Sequence, residues 1–181
     1  MTFKSELLKK LERGNFNQPI DPDGNLLSNG RYDFTWNAEN RLIEIVEDGR
    51  LKMSMTYDYM GRRTVKKIHS WTGTDWQLDK TITFVYDGFN EIARFEDGAL
   101  TKRYTWGQDL SGSLQGAGGV GGLLLVADSS NTYVPAYDGN GNVTGYIDAN
   151  TGAQVADYSY SPFGRTITKS GSKADDFDYK F

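Results

Sequence analysis

The stretch from Tyr133 to Arg165 constrains the fold most strongly, because it states one short pattern twice. Each copy runs from alternating aromatic residues into a Gly-rich turn, then into a β-branched run and a second turn. The first turn, Asp138-Gly139-Asn140-Gly141-Asn142, consists of residues that tolerate positive φ or hydrogen-bond their own backbone, so it reverses a strand. The flanking residues alternate at a period of two, as strands do. The stretch therefore predicts consecutive β-hairpins.

The same pattern of strand end and turn recurs along most of the chain. Seven segments carry it, beginning 16 to 31 residues apart: IDPDGNL at 20, WNAENRL at 36, YDYMGRR at 57, YDGFNEI at 86, WGQDLSG at 106, YDGNGNV at 137 and YSPFGRT at 160. The second turns, such as Asp48-Gly49 and Asp97-Gly98, contain the Asp-Gly pair typical of two-residue hairpins. This recurrence predicts an all-β, antiparallel meander over residues 16–181.

The N-terminus differs from the repeats. Residues 3–13 predict a short helix that Gly14 is placed to end. Its apolar side chains share one side: Leu7, Leu8 and Leu11. We therefore assign residues 1–15 to a short helical segment.

At the C-terminus, Phe177, Tyr179 and Phe181 alternate with polar residues, as strand residues do. The chain stops within this alternation. We therefore expect it to end inside a strand, as a repeat region truncated before its next domain would.

Composition excludes several classes of function. The chain has no Cys, which removes disulfides, thiolate zinc sites and cysteine nucleophiles. Its net charge is -4, and no Lys or Arg lies between Arg103 and Arg165, so we expect no nucleic-acid partner. No apolar run reaches the roughly 20 residues of a membrane span, and the N-terminus lacks the apolar core of a signal peptide. The sequence leaves the compartment open.

The glycines Gly116, Gly118 and Gly121 match a dinucleotide-binding fingerprint by spacing alone. That motif needs a preceding strand, a helix that opens at the glycines and an acid about 20 residues later. Here residues 123–126 read as a strand, and Asp138 already belongs to a hairpin turn. We expect a glycine loop between strands and no cofactor.

Two Asp-rich turns, starting at Asp21 and Asp138, imitate the beginning of a calcium loop. Such a loop needs Gly at its sixth position and Glu at its twelfth. The residues at those positions are Leu26 and Tyr32 in the first turn, Val143 and Ala149 in the second. Turn chemistry explains both segments, and we predict no metal site.

Candidate catalytic residues do not converge. His69, the single histidine, has no assignable nucleophile partner, and it reads as a strand-face residue. Asp175 and Asp176 are adjacent and would point to opposite faces of a strand, so a solvated tail is the simpler interpretation. Asn142 starts a glycosylation triplet that has meaning only in a secreted eukaryotic protein. We predict that the chain is not an enzyme.

The repeated aromatic-Asp-x-x-Gly-Arg/Asn pattern resembles the YD repeat of Rhs proteins, a group that includes bacterial wall-associated proteins, toxin-complex shell components and animal teneurins. The closest segments to that pattern are 36–42, 57–62, 137–143 and 158–165. Residues 106–122 look like the stretch that leads into the Rhs-associated core.

This resemblance implies a long β-sheet that spirals into a hollow shell enclosing a C-terminal effector. The partners it implies are the remainder of a larger Rhs polypeptide or an encapsulated effector, and the location it suggests is secreted or cell-surface. The self-cleaving core and the toxic tail of the family match no residue here.

Within this picture, recurring residues hold the sheet together. The aromatic residues are assigned to packing and the glycines to turns: Trp36, Tyr57, Tyr86, Trp106, Tyr137, Tyr160, Gly61, Gly141 and Gly164. The alternative is a module whose exposed aromatic residues bind a cell-surface glycan or a partner protein. Open strand edges also predict self-association.

Overall fold

The computed structural model describes residues 19–180. In this range it has twelve strands and no α-helix. The strands are β1 (Asp33–Trp36), β2 (Leu42–Glu47), β3 (Leu51–Tyr57), β4 (Arg63–Trp71), β5 (Trp76–Asp87), β6 (Asn90–Glu96), β7 (Ala99–Trp106), β8 (Leu123–Ala127), β9 (Thr132–Tyr137), β10 (Val143–Asp148), β11 (Gln154–Tyr160) and β12 (Thr166–Ser170). The helix predicted at residues 3–13, and with it the segment 1–15, lies outside the described residues.

The strands follow one another in the sheet in sequence order. Their pairing is antiparallel. The predicted antiparallel meander is therefore confirmed, and the spiralling curvature stays a prediction. The described residues divide into two compact units, residues 19–81 and 82–180, which we call unit 1 and unit 2.

In unit 1, side-chain alternation gives β1–β4 one apolar face. The registers place Phe34, Ile45, Met53 and Ile68 side by side across the four strands, where each is half-buried. Met55, on the same face of β3, is buried. The adjacent row on the opposite face is polar: Thr35, Glu44, Ser54 and Lys67.

Unit 2 contains a larger buried cluster. Its aromatic members Tyr133 and Tyr146 have only 1% and 0% of their surface exposed. The cluster is formed by Tyr104, Leu123, Val126, Tyr133, Val143, Tyr146, Ala156, Tyr158, Ala174 and Phe177. Two of these residues, Ala174 and Phe177, follow the last strand, so the C-terminal segment completes this core.

The repeated turns share one hydrogen-bond pattern, seen at Asp58. Its Oδ1 accepts the backbone N–H of Met60 at 2.9 Å and of Arg62 at 3.0 Å. Gly61, with φ of 83°, donates its N–H to the Asp58 carbonyl. Equivalent side-chain acceptors occupy the first position of other turns: Asp21, Asn37, Asp138 and, through its hydroxyl, Ser161. A short polar side chain thus closes each turn on itself.

The aromatic residue before a turn is bonded to the preceding repeat. The Tyr57 hydroxyl donates to the Leu42 carbonyl at 2.8 Å, and Leu42 is the first residue after the preceding turn. The same link is made by Trp36 to Leu26, Trp106 to Glu91, Tyr137 to Leu123 and Tyr160 to Val143, at 2.6–2.8 Å. Each acceptor lies directly after a turn or loop, or one residue further on. The aromatic side chain therefore ties a strand end to the start of an earlier strand.

Tyr137→Phe should lower the free energy of unfolding by roughly 1–2 kcal/mol, because it keeps the ring but removes the donor to the buried Leu123 carbonyl. Urea unfolding followed by circular dichroism measures this change. Tyr59→Phe is the matched control, since Tyr59 is 91% exposed and its change should stay within about 0.5 kcal/mol. Equal effects at both positions would contradict the proposed role of the link.

Two glycines of one turn should respond differently to alanine. Gly141 has φ of 83°, and a Cβ there would lie 2.8 Å from Val120 Cγ1 and 2.9 Å from Leu110 Cδ1. Gly139 has open space around its Cα and no positive φ. Gly141→Ala should destabilise the protein by about 1–3 kcal/mol, whereas Gly139→Ala should change it by less than about 0.5 kcal/mol. Thermal unfolding of both variants distinguishes them, and an equal loss would show that the turn tolerates no Cβ at all.

Candidate interaction site beneath the C-terminal segment

Residues 171–180, here called the strap, follow β12 and return across one face of unit 2. Residues 172–176 form turns, and residues 177–180 belong to no strand. The expectation of a strand at Phe177 is therefore wrong, although its alternation is real. Phe177 is buried and Tyr179 half-buried, because both side chains pack against the face of the sheet. The backbone of these residues belongs to no strand.

Two aromatic side chains of the strap pack against tyrosine and tryptophan rings of the sheet. Phe177 stacks on Tyr146 with ring centroids 3.7 Å apart and planes 8° apart, and it meets Tyr133 edge-on at 5.1 Å. Tyr179 meets two rings of β7 edge-on at 5.1–5.2 Å: Tyr104 and Trp106. Such pairs contribute about 0.5–1.5 kcal/mol each beyond the area they bury. The strap thus fills two neighbouring aromatic sockets.

Tyrosine hydroxyls of the sheet hold the strap backbone. Tyr158 donates to the Ala174 carbonyl at 2.8 Å, and Tyr146 donates to the Tyr179 carbonyl at 2.7 Å. Burial raises the pKa of Tyr158 to about 12 and the pKa of Tyr146 further. Both hydroxyls therefore remain donors over the whole physiological range.

A charged cluster holds the residue between the two aromatic side chains. Asp178 Oδ2 accepts hydrogen bonds from Lys102 Nζ and Arg94 Nη1, both at 2.8 Å, and from the Tyr104 hydroxyl at 3.1 Å. Arg94 is itself fixed by Glu91, whose two oxygens lie 2.8 and 3.0 Å from its Nε and Nη2. The strap thus places one carboxylate where two cations of the sheet converge.

The pKa values in this cluster favour the charged forms. Burial acts against the charge of Asp178, but hydrogen bonds and Coulomb attraction from Lys102 and Arg94 outweigh it and lower its pKa below the ordinary 3.8. Burial likewise opposes the charge of Arg94, while its hydrogen bond to Glu91 and neighbouring negative charge raise its pKa. The ion cluster is therefore fully formed at neutral pH.

The Gly-rich loop before β8 is organised by hydrogen bonds to Asp109. Its carboxylate accepts hydrogen bonds from Ser111 and from the backbone N–H of Ala117 and Gly119. The hydrogen bond from Ser111, followed by the backbone donors, lowers its pKa to about 2. The loop connects β7 directly to β8, so the strand-then-helix context of a dinucleotide site is not formed there.

A cleft of about 380 Å³ opens between this loop and the end of the strap. Trp106, Tyr137 and Val143 line it from the sheet, and Tyr179 and Lys180 line it from the strap. Its walls are mainly apolar, so it continues the aromatic surface on which the strap lies.

The other chemical motifs have local structural roles. The carboxylates of Asp21 and Asp138 accept hydrogen bonds within their own turns. Asp175 and Asp176 pair with Lys169 and Lys173. His69 lies half-buried on β4.

Two further features are absent from residues 19–180, a metal-binding cluster and a membrane-spanning helix. No group of three or more His, Cys, Asp or Glu side chains is arranged to hold a metal ion there. In the same range, no helix has the length and apolarity that crossing a membrane requires.

The residues assigned to the sheet from sequence occupy repeated positions. Trp36, Tyr57, Trp106, Tyr137 and Tyr160 make the links to preceding carbonyls described above. Tyr86 is half-buried near the end of β5, and three glycines, Gly61, Gly141 and Gly164, have φ of 77–83°. Their importance for stability stays a prediction until it is measured.

Sequence reasoning missed the cluster of Arg94, Lys102 and Asp178. Lys102 and Asp178 are separated by 76 residues, so no local pattern joins them. The available signal was the alternation Phe177-Asp178-Tyr179, which places one carboxylate between two aromatic side chains.

The lowered pKa of Asp178 predicts a dependence of stability on pH. Because its pKa is lower in the folded than in the unfolded chain, the carboxylate stabilises the fold above about pH 4, and this contribution is lost as pH falls further. The difference in free energy of unfolding between wild type and Asp178→Asn should therefore be greater at pH 6 than at pH 3. Urea titrations at both values measure it.

Asp157→Asn is the control for this experiment. Asp157 is exposed on β11 and accepts a hydrogen bond from Gln154 at 2.9 Å. Its substitution should cost less than about 0.5 kcal/mol at pH 6. A pH-independent cost of Asp178→Asn would contradict the ionic role of Asp178.

Comparison with known proteins relates this chain to a YD-shell family and to much longer polypeptides. The family model described as teneurin YD-shell matches residues 9–180. The tRNA3(Ser)-specific nuclease WapA of Bacillus spizizenii is 27% identical over 167 residues, and the tRNA nuclease WapA of Bacillus subtilis is 28% identical. These matches cover 89% of this chain but only 6% of either relative.

Two solved structures share the fold. The Photorhabdus luminescens Tc holotoxin pore, carrying a TccC3 mutation, matches with a TM-score of 0.62 at 15% identity over 90% of this chain and 8% of that one. The TcdB2–TccC3 crystal structure matches with a TM-score of 0.55 at 14% identity over 84% of this chain and 8% of that one. The described residues thus correspond to a small part of a much larger polypeptide in each case.

Proposed function

Because the chain belongs to the teneurin YD-shell family, we propose that it is a non-enzymatic structural module, one segment of a β-shell that encloses or presents an effector within a larger Rhs-type polypeptide. The observation that carries the proposal is the meander of twelve strands in sequence order, with each aromatic link joining one repeat to an earlier one. Such a chain can be extended by further repeats without changing its internal contacts.

The last strand supports this role. Every residue of β12 is exposed, including Ile167 at 61%. Within the described residues β12 pairs with β11 on one side, and the strap turns back over the sheet instead of covering the other side. A strand edge of this kind suits a neighbour from the rest of the shell. The resemblance further suggests that the complete polypeptide is secreted or displayed on a surface.

The nuclease activity in the names of the WapA relatives does not transfer directly to this chain. Those proteins are named as tRNA nucleases, and this chain spans 6% of their length. The stretch between Arg103 and Arg165 contains no Lys or Arg to bind phosphate. We therefore assign nuclease activity to other parts of the relatives.

The glycan-binding alternative gains no support from the geometry. The polar atoms of Trp36, Tyr57, Trp106, Tyr137 and Tyr160 are bonded to backbone carbonyls. They are thus already engaged and do not present donors to a sugar.

The exposed edge predicts concentration-dependent association of the isolated chain, measured by size-exclusion chromatography with light scattering. Ile167→Lys should reduce this association, because a charge on an exposed edge opposes strand pairing. Ile20→Lys is the control, since Ile20 is 62% exposed but lies outside the twelve strands. Because we propose that the chain is not an enzyme, the purified wild-type chain should not cleave tRNA when the two are incubated together.

Two results would contradict the proposal. A compact monomer at every concentration would indicate a self-contained domain with a role of its own. Cleavage of tRNA that persists after repurification would place an enzyme in this segment.

A further inference from the structure

The strap contacts unit 2 as a bound peptide contacts its receptor, through side chains packed in pockets and a few backbone hydrogen bonds. Two backbone hydrogen bonds join its ends to the sheet: Val143 N–H to the Lys180 carbonyl at 2.8 Å, and Lys173 N–H to the Val155 carbonyl at 2.9 Å. Between these ends, recognition depends on tyrosine hydroxyls, aromatic rings and the Asp178 cluster. The middle of the strap therefore uses no strand ladder.

We propose that this face is a binding groove for an extended peptide supplied by another molecule, with the strap as its intramolecular competitor. The groove is lined by Arg94, Lys102, Tyr104, Tyr133, Tyr146 and Tyr158, and we call it the strap groove. Its ligand is an extended segment with two aromatic residues separated by one acidic residue. This inference goes beyond the shell function, since it concerns what the face recognises in an isolated module.

Each part of the ligand pattern follows from one contact. The stacked and edge-on rings around Phe177 and Tyr179 require aromatic side chains two residues apart. Lys102 and Arg94 converge on the residue between them, so an acid is favoured there and a base is repelled. The Tyr146 hydroxyl binds a main-chain carbonyl, which any extended residue presents.

The pairing of the last strand does not depend on the strap. β12 keeps its own pairing with β11, and the strap begins at Gly171, immediately after the paired Ser170. Gly171 has φ of 108°, and a Cβ there would lie 2.3 Å from the Val155 carbonyl oxygen. Gly171→Ala therefore disturbs the junction of the strap while it leaves every groove residue unchanged.

An added peptide must compete with a tethered strap, whose local concentration is high. Weakening the strap alone should consequently reveal binding. Fluorescence anisotropy with a labelled peptide of the sequence of residues 172–180 tests this on the full chain. Asp178→Asn in the protein should tighten binding of the unaltered peptide at least tenfold relative to wild type, and Gly171→Ala should act in the same direction.

Charge reversal tests whether the peptide occupies the strap groove. Lys102→Glu, added to the Asp178→Asn protein, should weaken binding of the unaltered peptide at least tenfold, and a peptide carrying Asp178→Lys should recover part of this loss. Lys67→Glu, at an exposed position of β4 in unit 1, provides the matched control when combined with Asp178→Asn, and it should leave binding unchanged.

Circular dichroism confirms that each variant is folded before titration. The proposal is overturned if the folded Asp178→Asn and Gly171→Ala proteins show no saturable binding. It is equally overturned if a scrambled peptide binds as well as the native sequence, or if Lys67→Glu and Lys102→Glu have the same effect.

Discussion

A hydrogen bond from a strand-end aromatic residue to a carbonyl just past the preceding turn is the interaction on which we expect the fold to depend. It is made by Trp36, Tyr57, Trp106, Tyr137 and Tyr160. It joins residues 10 to 17 positions apart, as in Trp36 to Leu26 and Tyr160 to Val143. The acceptor lies where a strand restarts after its turn, and without the aromatic donor such a buried carbonyl carries a desolvation cost. The longest interval between repeats, 31 residues from Trp106 to Tyr137, gains its length outside the link, because residues 107–122 form the loop before β8. The link itself, from Tyr137 to Leu123, spans 14 residues.

The turn that follows each aromatic residue has an equally specific requirement. Its first side chain must accept backbone N–H groups at the third and fifth positions, as Asp58 and Asn37 both do. Asp and Asn satisfy this geometry fully and Ser in part, so the residue type at the first position varies while the turn is still closed by a side-chain acceptor. The fifth residue adds a second contact: Asn142 Nδ2 donates to Asp138, and the Arg62 guanidinium pairs with Asp58. The aromatic-Asp-x-x-Gly-Arg/Asn pattern is therefore a description of one closed turn and its tether.

These local rules explain what could be predicted from the sequence. The turns, the strand alternation and the meander depend on neighbouring residues, so they were visible in segments such as 137–143. The strap was not, because its partners lie far away in sequence, and the alternation of Phe177 and Tyr179 suits a strand and a sheet-covering segment equally well. The charged cluster was hidden for the same reason, since Lys102 lies in an ordinary strand and only the folded chain brings Asp178 to it.

The strap also solves a problem that any single sheet faces. A sheet buries an apolar face only when a second layer covers it, and in unit 2 that layer is ten residues of irregular chain rather than another sheet or a helix. These residues contact the sheet through separate side-chain pockets and do not form a continuous strand ladder. The covering layer therefore resembles a bound peptide that is covalently attached. In unit 1, by contrast, the apolar row that includes Ile45 and Met53 remains half-buried among the described residues. The peptide binding that we propose would therefore use the same face that the fold needs to cover, so that binding and folding would both depend on one surface.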